Sequence, residues 1–86
     1  MKLRFISDPS HGYLEVPIEL INKYNIYNRI SNYSFKTKQF AYLEEDCDAP
    51  LFFEAIKKNN HINNFEVITK YIDYSAPCRD FDRFQE

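Results

Sequence analysis

The chain has 86 residues, 44% hydrophobic, 17% aromatic and 28% charged, with a formal net charge of −2. That length makes one domain, and the absence of a basic run or stripe removes the electrostatic footprint of a nucleic-acid binder. A single glycine excludes a glycine-rich phosphate loop, and no apolar run approaches the roughly 20 residues that span a bilayer.

The start, Met1-Lys2-Leu3-Arg4-Phe5, lacks the apolar segment of a signal peptide, so a soluble cytoplasmic protein is expected. Eight Phe and seven Tyr without Trp predict a small core built from rings. With so little glycine, tight turns must use Asn or Asp.

Residues 2–6 alternate polar and apolar and predict a strand with Leu3 and Phe5 inward. Asp8-Pro9-Ser10-His11-Gly12 is a turn: Asp bonds the backbone two residues on, Pro fixes φ and Gly permits a positive φ. Residues 13–16 return as a strand with Leu14 and Val16 on one side, completing a hairpin. Pro17 opens a short helix over 18–24, with Ile18, Leu20, Ile21 and Tyr24 on one face.

A third strand is predicted over 30–35, with Tyr33 and Phe35 on one side, then a polar turn over 36–39 and a fourth strand over 40–44. Asp46 or Asp48 caps a helix over 49–59 whose buried stripe is Leu51, Phe52, Ala55 and Ile56. Lys57 and Lys58 complement the dipole of its last turn. Residues 65–72 are β-rich and predict the last strand. Residues 73–86 are polar around Phe81 and Phe84 and predict a loosely docked or disordered tail. The order β-β-α-β-β-α-β predicts an α+β fold: residues 1–72 form a small, mostly antiparallel sheet with its helices on one face.

The densest chemistry lies in Glu44-Glu45-Asp46-Cys47-Asp48. Clustered carboxylates suit a hard cation, yet the spacing lacks the glycine and distal Glu of an EF-hand loop. The same residues serve as a helix cap with a favourable dipole, or as an acidic patch that meets a basic partner surface. His11 is a candidate base or ligand, although no nucleophile signature surrounds either cysteine; His61 reads as plain loop. Cys47 and Cys78 have no metal spacing and are expected to be reduced thiols; the alternative is a disulfide closing a loop of about 30 residues. Tyr13, Tyr27, Tyr42 and Tyr74 fall on predicted outer faces or in loops, where Tyr serves either as an interface anchor or as amphipathic cover for the sheet.

Three blocks, Ser10-His11-Gly12-Tyr13-Leu14-Glu15-Val16-Pro17, Ile30-Ser31-Asn32-Tyr33-Ser34-Phe35 and Ala41-Tyr42-Leu43-Glu44-Glu45-Asp46-Cys47-Asp48, occur in this order. Over residues 7–56 the chain thereby resembles small, uncharacterised accessory proteins of bacteriophages and plasmids. The resemblance implies a mobile element inside a bacterial cell, a setting in which anti-CRISPR and other anti-defence inhibitors are single small domains without active sites. It transfers no catalytic residues, and the tail departs from it.

The expected function is therefore a non-enzymatic inhibitor of a host protein or ribonucleoprotein complex with a basic surface. Glu44, Glu45, Asp46 and Asp48 would make the contact, with Tyr13 and Tyr42 as anchors. No cofactor, metal or membrane partner is expected, and direct nucleic-acid binding is not expected. One alternative is a nucleic-acid-binding or regulatory protein that uses its sheet face. Another is a small hydrolase or metal-dependent enzyme at His11 and the acidic turn. A homodimer through an open sheet edge is compatible with each, with Lys36 and Lys38 guarding that edge.

Overall fold

The computed structural model describes residues 1–84 and has the α+β class expected. Its elements are β1 (Lys2–Ser7), β2 (Gly12–Pro17), α1 (Ile18–Lys23), β3 (Phe35–Lys36), β4 (Phe40–Glu44), α2 (Ala49–Lys58), β5 (Glu66–Tyr71) and β6 (Asp82–Arg83). They form one six-stranded sheet in the order β5-β1-β2-β4-β3-β6. Two features correct the expected sheet. It is mixed, because β5 lies parallel to β1 (Leu3 opposite Val67, Phe5 opposite Thr69), while the other pairs are antiparallel. A strand after β5 also extends the predicted order, because β6 pairs with β3.

The alternation read in the sequence sorts the side chains onto two faces. Leu3, Leu14, Val16, Ala41 and Leu43 join Ile21 of α1 and Phe52 and Ile56 of α2 in the larger core. Both helices therefore pack on this face. Their ends follow the local chemistry: Pro17 and Pro50 stand at the helix starts, and Lys57 and Lys58 occupy the last turn of α2. Among the described residues, positive φ occurs at Asn25 (57°) and Asn60 (59°), each just beyond a helix. Asn thus takes the left-handed positions that glycine takes elsewhere.

The opposite face carries a second core of Ile6, Tyr13, Phe35, Tyr42, Ala76 and Cys78. Two of these come from the segment predicted to be a loose tail, and for residues 73–84 that expectation is corrected. Residues 85 and 86 lie outside the described residues. To join β5 at one edge to β6 at the other, the chain crosses five strand spacings, about 24 Å. The ten residues between them reach about 33 Å when extended. The segment, which includes a 3-10 turn at Pro77–Asp80, crosses the second face and buries Ala76 and Cys78 against it.

Two contacts secure this strap. Phe84 is fully buried in the helix-side core, its ring 5.1 Å from that of Tyr27, and its N–H donates to the Ser34 carbonyl. At the other end the buried Asp8 carboxylate accepts the N–H of Ala76 (2.8 Å), besides those of Ser10 (2.9 Å) and His11 (2.7 Å) in its own turn. Arg79 stands 3.7 Å away. Burial opposes ionisation of Asp8, but these backbone donors and the Arg79 charge outweigh it and hold its carboxyl below the usual range.

Gly12 is required for a reason other than the one expected. Its φ is not positive. A Cβ there would stand 2.3 Å from Cζ of Phe5, so the position is set by the close approach of that ring.

Two outcomes test the strap. Phe84→Ala should cost about 3 kcal/mol, as buried Phe truncations do; an unchanged urea midpoint would place the ring outside the core. A depressed folded-state pKa contributes stability that is complete above the unfolded pKa and is lost as pH falls through the folded value. The stability gap between wild type and Asp8→Asn should therefore be full at neutral pH and narrow below about pH 4. Denaturant titrations at pH 7 and pH 3 measure it, and a constant gap contradicts the assignment.

Candidate functional site

The acidic turn leaves β4 at Glu44, which pairs with Tyr13 of β2, and enters α2 at Ala49. The Glu45 N–H donates to the Gly12 carbonyl (3.0 Å), so the turn is stitched to the first hairpin. Its four carboxylates have two different roles. The Glu44 side chain is buried and turns back into its own loop, where Oε2 accepts the N–H groups of Asp46 (3.1 Å) and Cys47 (2.9 Å).

Asp48 is also buried. It occupies the helix-cap position, but its side chain makes no cap hydrogen bond. It reaches sideways to the Ser31 N–H (3.0 Å), the Ser31 hydroxyl (2.7 Å) and the Ser34 hydroxyl. Ser34 Oγ in turn accepts the N–H of Glu44 (2.9 Å). One hydroxyl therefore ties the end of β4, the start of α2 and the 31–34 loop together. The side-chain cap expected of Asp46 or Asp48 is corrected accordingly. Buried carboxylates need such donors, and Ser34 and Ser31 supply them.

These bonds remove Glu44 and Asp48 from any contact surface and leave Glu45 and Asp46 as the exposed pair. The expected aromatic anchors are also corrected. Tyr13 is 3% exposed and Tyr42 8% exposed, because the strap covers the face on which they stand. Tyr13 packs edge-on against Phe35 at 5.8 Å. The Tyr42 hydroxyl is engaged by Glu15, whose carboxylate also takes a two-pronged bond from Arg4 (3.0 and 2.7 Å). Burial first, and then the Glu15 carboxylate, raise the Tyr42 pKa.

Tyr33 and Phe35, predicted on one side of a strand, part company: Phe35 is buried and Tyr33 is 61% exposed. The predicted strand over 30–35 shrinks to Phe35–Lys36, because residues 31–34 follow Asp48 rather than a neighbouring strand. Of the other two tyrosines, Tyr74 is exposed and Tyr27 is half-buried under the Lys36 ammonium (3.0 Å). His61, read as plain loop, bonds the Tyr24 hydroxyl at 2.8 Å.

Beside the turn lies a cavity of about 380 Å³, whose lining includes His11, Tyr33, Asp46, Cys47, Arg79 and Arg83. Sequence reasoning missed Tyr33 and both arginines, which lie in segments read as a strand and a loosely docked or disordered tail. The fold thus brings His11 to the acidic turn, as the enzymatic alternative requires.

Carboxylate oxygens of Glu44, Glu45 and Asp46 come within 4.8 Å of one another, a spacing that suits a cation. Glu44, however, already spends an oxygen on two N–H groups. The exposed Cys47 thiol is raised by its hydrogen bond to Glu44 and by the surrounding carboxylates, which keeps it protonated at neutral pH. A cysteine nucleophile needs the opposite. Cys78 is buried beneath the strap, its pKa pushed up to about 12 by burial and the Asp8 charge. Both cysteines are free in this structure.

Among the described residues no helix is long and apolar enough to cross a membrane. No protein family, curated protein or solved structure matches the chain.

The two classes of carboxylate should separate in stability measurements. Asp48→Ala strands the Ser31 and Ser34 donors and should cost about 3 kcal/mol. Glu45→Ala should stay within about 0.5 kcal/mol of wild type. Comparable losses from the two variants would contradict the bracing role of Asp48.

Proposed function

We propose that the chain is a non-enzymatic binding protein of a mobile element that inhibits a basic host protein or ribonucleoprotein, acting through the corner at Glu45 and Asp46. The observation that carries this reading is the internal bracing of the turn. Glu44 and Asp48 hold the loop through five hydrogen bonds from backbone and serine donors. The backbone is fixed, and Glu45 and Asp46 project from it exposed. A preorganised charged corner loses little conformational entropy on binding. Complementary charge then raises the association rate and selects the partner.

Tyr33 replaces Tyr13 and Tyr42 as the aromatic anchor, since it is exposed and lines the cavity beside Asp46. The resemblance to phage and plasmid accessory proteins supports a bacterial cytoplasmic setting and an inhibitory role.

The test is affinity capture from a bacterial host lysate, comparing wild type with the Glu45→Lys, Asp46→Lys double variant. The variant should weaken capture of the specific partner about tenfold or more. It should melt within a few degrees of wild type, because neither side chain is buried. Capture should also weaken with added salt, as it does for exposed charges. Recovery of the same partners in equal yield by the variant would overturn the placement of the site.

A further inference from the structure

From the geometry of β5 we infer that the chain forms a symmetric homodimer by antiparallel pairing of this edge strand with its copy. β5 ends the sheet, and all six of its residues are exposed, including Val67, Ile68 and Tyr71. Natural edge strands are kept from pairing by prolines, bulges, shortness or charged side chains, Lys above all, and the two charges of β5, Glu66 and Lys70, are of opposite sign. β5 is six residues long, Glu-Val-Ile-Thr-Lys-Tyr, and has no proline.

The hydrogen-bond phase of the edge limits how a second strand can join. The Glu66 N–H donates to the Met1 carbonyl (2.8 Å) and the Ile72 N–H to the Ser7 carbonyl (2.9 Å). Even-numbered residues therefore direct their backbone groups at β1. Val67, Thr69 and Tyr71 direct theirs outward, away from the sheet. An antiparallel partner must match outward residues with outward residues.

A two-fold axis at Ile68 does this by pairing Val67 with Thr69 of the second copy through reciprocal backbone bonds. The same register sets Glu66 opposite Lys70 of the copy, and Lys70 opposite its Glu66. Ile68 meets Ile68 at the axis. All three side chains lie on one face, that of their β1 partners Lys2, Arg4 and Ile6. These are non-hydrogen-bonded positions, where opposed side chains come closest.

Moving the axis to Thr69 keeps the phase but sets Lys70 against Ile68 and loses both ion pairs. Charge complementarity thus selects the first register and a second copy of this chain as the occupant. A strand pair of this length falls below the roughly 1,200–2,000 Å² of a standard interface, so the dimer forms in proportion to concentration.

Sedimentation velocity over a concentration series tests the register through charge exchange. Wild type should shift from one chain mass to two as concentration rises. Glu66→Lys and Lys70→Glu should each weaken self-association about tenfold or more, because each sets like charges opposite one another twice. An equimolar mixture of these two variants should recover the dimer, since every pair is then complementary. The double variant Glu66→Lys, Lys70→Glu should dimerise alone. Far-UV circular dichroism of each variant shows that the fold is retained.

Wild type that stays monomeric at its highest soluble concentration overturns the inference. So do single variants that associate as well as wild type, or a mixture that associates no better than its components. A β5 edge that pairs only with a strand of another protein would appear as the first of these outcomes.

Discussion

The fold depends on covering two apolar sheet faces with one short chain. Both connecting helices lie on the same face, so nothing in residues 1–72 closes the other. An uncovered sheet face of Ile6, Tyr13, Phe35 and Tyr42 would leave large apolar area in water, which a domain of this size cannot spare. The strap over residues 72–81 provides the second layer, with a covalent tether at one end and Phe84 anchored at the other. Asp8 is the polar counterpart of that anchor. It satisfies the N–H of Ala76, a backbone donor that the crossing would otherwise bury without a partner.

The acidic corner follows from the same economy of parts. A chain with one glycine and few long loops must shape its turns with side-chain bonds. Asp8 does this for the first hairpin, Glu44 for the β4–α2 turn, and Asp48 with Ser31 and Ser34 for the loop before β3. The acidic residues are thus divided: some shape the backbone from inside, and the pair they leave exposed gains a fixed direction. Net acidity in this sequence records turn construction as much as surface charge.

This division explains what was legible in the sequence. The first hairpin, β4 and the helices were, because their periodicity is local: β4 spans the predicted 40–44, and α2 differs from its predicted end by one residue. The inside–outside alternation was also legible, since Tyr13 and Tyr42 do stand opposite Leu14 and Leu43. What failed was the inference that the second face meets water. That depended on a polar tail whose two-residue strand is too short to carry a period. Asp48 and Glu44 are expected at the partner contact, because carboxylates usually face water. The correcting signal was Ser31 and Ser34, whose hydroxyls bind a buried acid more readily than they extend a strand. The parallel pairing of β5 with β1 is a long-range choice that no local pattern encodes.

The two surfaces left over by this construction are related through the sheet. The corner lies at the end of β4, three strand positions from β5, or about 14 Å across the sheet. Pairing of two β5 edges would not bury it. The two-fold at Ile68 would instead join the sheets into one continuous twelve-stranded surface carrying a corner on each half. Each corner alone offers two exposed carboxylates and one aromatic ring, a small contact by the standard of stable interfaces. Two corners held at a fixed separation make the second engagement intramolecular, so avidity can exceed single-site affinity by orders of magnitude when the partner's basic surface spans the distance. On both proposals, assembly at the edge would set how strongly the corner binds.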